Sequence, residues 1–195
     1  MLFAAHDPGA KNHIRPIYEY SLSLGRHADF VDLSTRLELL KDDDAANFIR
    51  GVNPGLFVGG CSMNQAEWAL ERACNSSGIP TVMVVDISAV GKLEPISPAD
   101  FPNRFLVTNH GCVDEIMGFG ASPDTTMVTG SAHLERLSMH RPEGGGSSLR
   151  RHYGLGTSDN VVSFFCSPDT DQSINAVLSL ARLLPATRLT APAVI

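Results

Sequence analysis

No apolar run in this sequence approaches the roughly 18 residues that a membrane-spanning helix requires. Runs of lysine or arginine are also missing, and 15 basic against 21 acidic residues give a net charge of −6. The electrostatic footprint of a nucleic-acid binder is therefore absent. The first residues reach the polar pair His6-Asp7 too early for a secretory signal peptide. We expect a cytoplasmic protein without a transmembrane segment and without a nucleic-acid partner.

Several chemical signatures are missing as well. The four cysteines are far apart and form no C-x-x-C pair or Cys/His cluster, which predicts buried thiols rather than a zinc site. They are Cys61, Cys74, Cys112 and Cys166. Neither a G-x-S-x-G nucleophile motif nor a G-x-x-x-x-G-K-[ST] phosphate loop occurs. Consecutive carboxylates at Asp42–Asp44 favour a solvated helix face, so we expect no metal.

Short strand-like segments alternate with helical patterns along the chain. The 195 residues, 43% of them hydrophobic, suffice for one large domain, or for one full domain and part of another. Strands are predicted at residues 2–5, 28–33, 56–58, 81–85, 105–107 and 126–128. Alternation of this kind is typical of an α/β fold in which helices cover both faces of a doubly wound parallel sheet.

The helix boundaries follow from turn and capping residues. A first helix is predicted after the turn His6–Gly9, with Pro16 near its start. Ser34 or Thr35 is predicted to cap a second helix that runs to Ile49. Ser62 is predicted to cap a helix over residues 65–75, although its hydroxyl could instead contact a ligand. Residues 91–103 are rich in proline and polar residues, and predict an extended surface loop.

The first turn is the leading candidate site. Loops that leave the carboxyl ends of parallel strands face the crevice where ligands bind, and the N–H groups that open the next helix suit an anion. His6, Asp7, Asn12 and His13 would line that crevice. The alternative is a plain tight turn between two surface histidines.

A second candidate position follows the strand at residues 81–85. Asp86 stands at the tip of this β-branched strand and is followed by Ser88. A carboxylate at the end of a central strand is a plausible functional group. The alternative is that Asp86 only caps the loop around Ser88.

The glycine-rich segment RPEGGGSS at residues 141–148 predicts a domain boundary. We assign residues 1–138 to a first domain, 139–150 to a Gly/Ser linker and 151–195 to the start of a second domain. That start comprises a strand at 161–165, a turn at 166–169 and a helix at 171–184. A single β–α unit cannot bury both faces of a sheet, so the second domain is expected to be incomplete.

Three motifs occur in order along the first 137 residues. Asn12–Pro16 looks like a Gly-His-Ile-x-Pro turn in which asparagine replaces the glycine. Gly78–Thr81 leads into a hydrophobic strand that ends at Asp86. Val128–Ser131, with leucines at 134 and 137, looks like V-T-G-x-P-x-x-x-x-L in which alanine replaces the proline.

Together these motifs resemble the N-terminal half of the two-domain GT-B glycosyltransferases, including the MurG type, and of the related UDP-N-acetylglucosamine 2-epimerases. The resemblance implies a Rossmann-like domain on the acceptor side of a nucleotide-sugar enzyme. His13 would act there as a general base or orient the acceptor, beside Gly9 and Asn12. Asp86 and Asn109 would lie at neighbouring strand ends, and Gly130 near the interdomain cleft.

The resemblance implies a glycosyltransferase that moves a sugar from a nucleotide-sugar donor to a glycan or envelope acceptor, with no cofactor. A nucleotide-sugar 2-epimerase relative and a non-catalytic binding domain are the alternatives. Nearly all of the family's second domain lies beyond this chain. We therefore expect the chain to need its missing half, or a second copy in a homodimer, for catalysis.

Overall fold

The computed structural model describes residues 1–63, 66–140, 146–159, 164 and 170–183. The chain divides into two compact units, Met1–His140 and Arg141–Ile195. The strands of the first unit are β1 (Leu2–Ala5), β2 (Asp29–Asp32), β3 (Phe57–Gly60), β4 (Thr81–Val84), β5 (Arg104–Val107) and β6 (Thr126–Val128). Its helices are α1 (Pro8–Ser23), α2 (Asp42–Val52), α3 (Trp68–Ser76), α4 (His110–Gly118) and α5 (Ala132–Met139).

The six strands form one parallel sheet in the order β2-β1-β3-β4-β5-β6. The predicted α/β class and parallel sheet are confirmed, and the bounds of every predicted strand of this unit lie within two residues of those observed. The strand order reverses between β1 and β3, because the chain first adds β2 on one side and then β3 on the other. Ligands of such sheets bind at the carboxyl ends of the strands beside this reversal.

Alternate residues of the strands face two separate layers of core. On one face, Leu2, Phe57 and Met83 are buried beneath α2, α3 and α4. On the other face, Phe3 and Val58 pack against α1. Burying each large side chain of this kind stabilises the fold by about 1.5–3 kcal/mol. Helices therefore cover both faces, as the hydrophobic strands predict.

Helix α1 begins earlier than predicted. Its first residue is Pro8, so the predicted turn supplies the first helical turn, and Pro16 lies in the helix interior rather than near its start. A proline at the first position has the φ angle that a helix needs and loses no hydrogen bond. Gly60 at the end of β3 allows α1 to approach closely, because a Cβ on Gly60 would lie 2.6 Å from the Cβ of Ala10.

The prediction of one continuous helix from Ser34 or Thr35 to Ile49 is wrong. The structure has two 3-10 turns, Leu33–Thr35 and Leu37–Leu40, before α2 begins at Asp42. The acidic run Asp42–Asp44 forms the first turn of α2. Negative charge is favourable there because it faces the positive end of the helix dipole. The carboxylates therefore stabilise the N-terminal end of α2, and they are exposed to solvent as expected.

The predicted surface loop at residues 91–103 is partly buried. Leu93 is a core residue and Lys92 is only 8% exposed. The loop contains a 3-10 turn, Pro98–Asp100, in which the Ala99 N–H donates to Ser97 Oγ. The proline content correctly excluded a regular strand or helix, but it did not show that two side chains return to the interior.

The second unit contains α6 (Ser147–His152) and α7 (Thr170–Leu183). Helix α7 confirms the predicted helix at 171–184 as far as residue 183. Because α6 begins at Ser147, the end of the predicted linker is helical rather than flexible. The predicted strand at 161–165 and turn at 166–169 lie almost wholly outside the described residues, as does Cys166. The other three cysteines are buried free thiols, as predicted.

Among the described residues, no helix combines the length and the apolar character that crossing a membrane would require.

Candidate functional site

The candidate site lies at the carboxyl edge of the sheet, where the turns after β1 and β3 meet beside the reversal of strand order. We call this edge, formed by residues 6–9, 61–63, 86–92 and 129–131, the crevice. Asp7 and Ser62 connect its first two turns, because the Asp7 N–H donates to Ser62 Oγ over 3.1 Å. In return, the Met63 N–H donates to Asp7 Oδ2 over 2.9 Å.

The side chain of Glu67 accepts hydrogen bonds from both of these turns. Its Oε1 accepts hydrogen bonds from the His6 N–H at 2.8 Å and from the Ser62 hydroxyl at 2.6 Å, and its Oε2 accepts from the Ser62 N–H at 3.3 Å. The Glu67 side chain is fully buried. Burial raises the pKa of Glu67, against the opposing effect of these hydrogen bonds. A buried acid with three donors fixes the position of both turns.

Ser62 therefore does not cap a helix as predicted. Helix α3 begins only at Trp68, and the Ser62 hydroxyl bridges Asp7 and Glu67 instead. The helix cap failed as a prediction because the Ser62 hydroxyl donates to the Glu67 side chain and accepts from the N–H of Asp7, which follows β1 and is distant in the sequence.

His6 and Asp7 form a pair at the mouth of the crevice, with His6 Nδ1 2.9 Å from Asp7 Oδ1. Burial disfavours the charged form of Asp7, but the hydrogen bonds from His6 and Met63 and the charge of Lys92 outweigh it. The pKa of Asp7 therefore lies below its ordinary value. At neutral pH Asp7 supplies a fixed negative charge to the crevice.

Asp86 lies beyond the end of β4 and forms an ion pair with Lys92, with side chains that are 14% and 10% exposed. The other Asp86 oxygen lies against Gly9, where a Cβ would come within 2.8 Å of Oδ2. Asp86 thus sits at the first turn of α1, whose positive end stabilises a carboxylate. The sequence predicted an anion at this helix terminus, and the structure places the protein's own carboxylate there.

His13 is 7% exposed and lies one helical turn farther along α1. Its Nδ1 is 3.2 Å from Ser131 Oγ, and its ring centroid is 5.6 Å from that of His133. Burial lowers the pKa of His13, and the charges of His133 and Lys92 lower it further, although Asp86 opposes them. His13 is therefore an uncharged imidazole at neutral pH, and an uncharged imidazole can accept a proton.

A cavity of about 160 Å³ adjoins His13. It is lined by the carboxyl ends of β4 and β5, through Val84 and Leu106, and by residues 129–132 after β6. The predicted residue Gly130 lies in this lining. Three sequence-distant segments therefore meet around the imidazole.

The other predicted site residues lie at the border of this arrangement. The Ser88 hydroxyl donates to Glu115 Oε2 over 2.8 Å, and Ser88 Oγ accepts from the Val90 N–H. Asn109 caps α4, since its Oδ1 accepts from the Cys112 N–H over 3.2 Å. Asn12 lies on the exposed side of α1, away from the lining around His13. Roles for these three in substrate binding stay predictions.

Sequence reasoning missed Glu67, Lys92 and Ser131. Glu67 lies in a segment that was interpreted as ordinary amphipathic helix, and Lys92 in a polar loop. The available signal was weak: Lys92 is a single cation six residues after Asp86, and Ser131 follows Gly130 at a predicted helix start. Among the described residues, no group of three or more His, Cys, Asp or Glu side chains is arranged to hold a metal ion.

No protein-family model and no curated protein matches this chain. Its fold is similar to that of S. aureus MnaA in a co-structure with UDP, with a TM-score of 0.55 and 12% identity over 78% of this chain and 50% of the other. It is also similar to a Listeria monocytogenes protein whose proposed identity is UDP-N-acetylglucosamine 2-epimerase. There the TM-score is 0.51 and the identity 12%, over 91% of this chain and 65% of the other.

These similarities establish the Rossmann-like fold of the chain, in agreement with the fold that the sequence motifs imply. At 12% identity they do not transfer an activity. The chain spans between half and two thirds of the length of these two proteins.

Proposed function

We propose that this chain supplies the acid–base side of an enzyme that acts on a nucleotide-activated sugar. One arrangement carries the proposal: the uncharged imidazole of His13 contacts Ser131 of the crevice, one helical turn along α1 from the point where Asp86 packs against Gly9. The fold neighbours, one of them a complex with UDP, favour a nucleotide-sugar substrate. The pair would handle protons, while Lys92 and α1 keep Asp86 in place.

Epimerisation at a sugar carbon is the first candidate reaction. Inverting a carbon that bears hydrogen requires the C–H bond to break and to form again on the opposite face. That chemistry needs one group to take a proton and another to return it. The uncharged imidazole of His13 would take the proton from one face. The carboxylate of Asp86 carries no proton, so the proton that returns to the opposite face would come from a solvent water held by Asp86.

Glycosyl transfer is the second candidate, and it is favoured by the contact between His13 and Ser131. The hydrogen bond at Nδ1 orients the ring, so that the opposite nitrogen can accept the proton of an acceptor hydroxyl. His13 and Ser131 also belong to the two motifs, Asn12–Pro16 and Val128–Ser131, that resemble those of the GT-B glycosyltransferases. The transfer needs no metal if hydrogen-bond donors stabilise the leaving diphosphate.

We further propose that a second polypeptide unit strengthens nucleotide binding beyond what the crevice supplies, since the chain spans only half to two thirds of its structural neighbours. That unit would be a further domain or a second copy of the chain. The crevice of the first unit would then bind the sugar and the acceptor. A glycan acceptor belongs only to the transferase candidate.

The test combines binding and turnover on the full chain. Chemical-shift mapping with UDP-N-acetylglucosamine should perturb the amides of residues 6–9, 86–92 and 129–131. In D2O, a 2-epimerase would produce the C2 epimer with deuterium at that carbon and without an acceptor. A transferase would release UDP only when a glycan acceptor is added.

His13→Ala and Asp86→Asn should abolish either reaction and leave the fold intact. His27→Ala and Asp124→Asn are matched controls, because both residues are exposed and outside the crevice. A folded chain whose crevice amides do not respond to saturating UDP-N-acetylglucosamine would refute the proposal. Equal turnover by His13→Ala and by His27→Ala would refute the role of His13.

A further inference from the structure

A second cavity, of about 240 Å³, lies between α1 and α5 in the first unit. Its polar lining consists of cationic or neutral groups: Asn12, Arg15, His133, Arg136 and His140. Among the described residues that line it, none is acidic, although the chain as a whole carries a net charge of −6. The local charge is therefore opposite to the average charge of the protein.

Arg15 is held without a carboxylate. Its guanidinium lies over the ring of Phe30, 5.4 Å from the centroid. Such stacking restrains the side chain and leaves the N–H donors at the edge of the guanidinium available for hydrogen bonds. Among the described residues, no acidic oxygen lies within salt-bridge distance of Arg15. The planar donor fork of arginine suits phosphate oxygens.

Arg136 supplies the second guanidinium from α5. Its Nη1 donates to Glu19 Oε2 over 2.8 Å, and both side chains are about half exposed. An exposed pair of this kind contributes little stability, so an incoming anion can compete with Glu19 for Arg136. In the part of the chain that the structure describes, Glu19 is thus the acidic group that is paired with a cation of this lining.

The volume of this cavity limits the size of the ligand that it can hold. Small-molecule pockets for drug-sized ligands span about 300–1,000 Å³, and this cavity is smaller. A water takes about 30 Å³ in the liquid, so the cavity has room for a phosphate or diphosphate group and several waters. A whole nucleotide sugar would have to extend out of it.

We propose that the groove between α1 and α5 is a binding site for a phosphate or diphosphate group, held by Arg15 and Arg136. The ligand is either a free inorganic anion or the phosphate end of a larger ester. This site is separate from the proton chemistry of the crevice, although the two adjoin through His133, whose ring is 5.6 Å from that of His13. It therefore goes beyond the proposed function and does not depend on it.

The test is calorimetric titration of the full chain with sodium pyrophosphate at neutral pH and low salt. Arg15→Gln should weaken binding by about tenfold or more, because a charge-assisted bidentate contact is lost. Glu19→Gln should strengthen binding, because it releases Arg136. Arg50→Gln is the matched control, since Arg50 is an exposed helical arginine on α2. The affinity should fall as salt is added.

Two further ligands separate the sources of the anion. If UDP binds more tightly than pyrophosphate and loses affinity in Arg15→Gln, the phosphate end of an ester is the ligand. If glucose 1-phosphate and UDP bind no better than pyrophosphate, the site takes the inorganic anion. Both outcomes support the site.

The proposal is overturned if millimolar pyrophosphate gives no saturable heat with the folded chain. It is also overturned if Arg15→Gln and Arg50→Gln weaken binding equally, since the effect would then be general charge. Circular dichroism checks that Arg15→Gln is folded, and Glu19→Gln tests the site without removing a cation. Asp124→Asn, at an exposed acid outside both sites, should leave pyrophosphate affinity unchanged. The titration needs no turnover, so failure of this site is distinguishable from failure of the crevice.

Discussion

The carboxylate of Asp86 lies where a side chain on Gly9 would have to be. A Cβ on Gly9 would approach Asp86 Oδ2 to 2.8 Å, a distance that real Cβ contacts do not show. Gly9 has no unusual φ angle, so its lack of a side chain is needed for space rather than for backbone freedom. This contact joins the first turn of α1 to the end of β4 and defines the centre of the crevice.

Gly9→Ala should therefore have different effects on stability in two backgrounds. In the natural chain, the new methyl group displaces Asp86, and the free energy of unfolding should fall or stay level. In an Asp86→Ala background the clash is absent, and alanine should stabilise α1 by up to about 1 kcal/mol through its helix propensity. Urea denaturation of the four proteins gives the coupling energy. An effect of Gly9→Ala that is equal in both backgrounds would contradict the contact.

Lys92→Met should destabilise the first unit and misplace Asp86. The substitution keeps the side-chain length but leaves a largely buried carboxylate without its partner. Breaking such a pair costs about 2–3 kcal/mol here, slightly less than for a fully buried pair. Lys41→Met is the control, because Lys41 is exposed. Thermal unfolding gives the stability of both variants. An equal loss of stability in Lys92→Met and Lys41→Met would show that the ion pair contributes nothing specific.

A graded series at Glu67 tests whether this acid holds the two turns of the crevice. Glu67→Gln keeps one acceptor oxygen and should cost about 1 kcal/mol, whereas Glu67→Ala leaves buried donors unpaired and should cost about 3 kcal/mol. Amide hydrogen exchange at His6 and Ser62 should accelerate in the same order. Glu94→Ala, at an exposed position, should change neither quantity. Unchanged exchange at His6 in Glu67→Ala would reject this role.

Glu71 on α3 is a buried acid far from the crevice, near the start of β4. It is fully buried beside Thr81 and Asn75, but neither carboxylate oxygen has a well-formed hydrogen bond among the described residues. Burial raises the pKa of Glu71 from 4.5 to about 7. The folded chain thus keeps a proton on Glu71 that the unfolded chain releases at lower pH.

The contribution of Glu71 to the free energy of unfolding should therefore fall as the pH rises from about 4.5 to about 7. Glu71→Gln removes the titrating group and should be more stable than the natural chain above pH 7, by up to about 3 kcal/mol. The difference should vanish well below pH 4.5, where Glu71 is protonated in both the folded and the unfolded state. Denaturant unfolding across this range checks the sign. A difference that does not change with pH would show that Glu71 does not titrate as described.

Much of the fold could be predicted because its signals are local. The β-branched run Thr81–Val85 and the glycine and proline residues around it define β4 without reference to the rest of the chain. The same holds for the short strand Phe57–Gly60 and for α7. The second helix was predicted wrongly because Leu37 and Leu40 have helical spacing with the residues that follow, yet they lie in a 3-10 turn.

Only part of the candidate site could be predicted from the sequence. The position of Asp7 and Asp86 at strand ends was visible, because parallel strands bring their carboxyl ends to one edge. The partners of these residues were not visible. Lys92, Glu67 and Ser131 come from other segments, and nothing in their own neighbourhoods indicates a contact with the crevice.

By itself, the sequence determined the alternation of strands and helices, the parallel sheet and the edge at which polar side chains collect. These features depend on hydrophobic period and turn chemistry, which act over a few residues. Tertiary structure decided that Glu67 joins two turns, that Lys92 returns to pair with Asp86, and that Ser131 meets His13. Those contacts join residues that lie up to 118 positions apart, so only the folded chain brings them together.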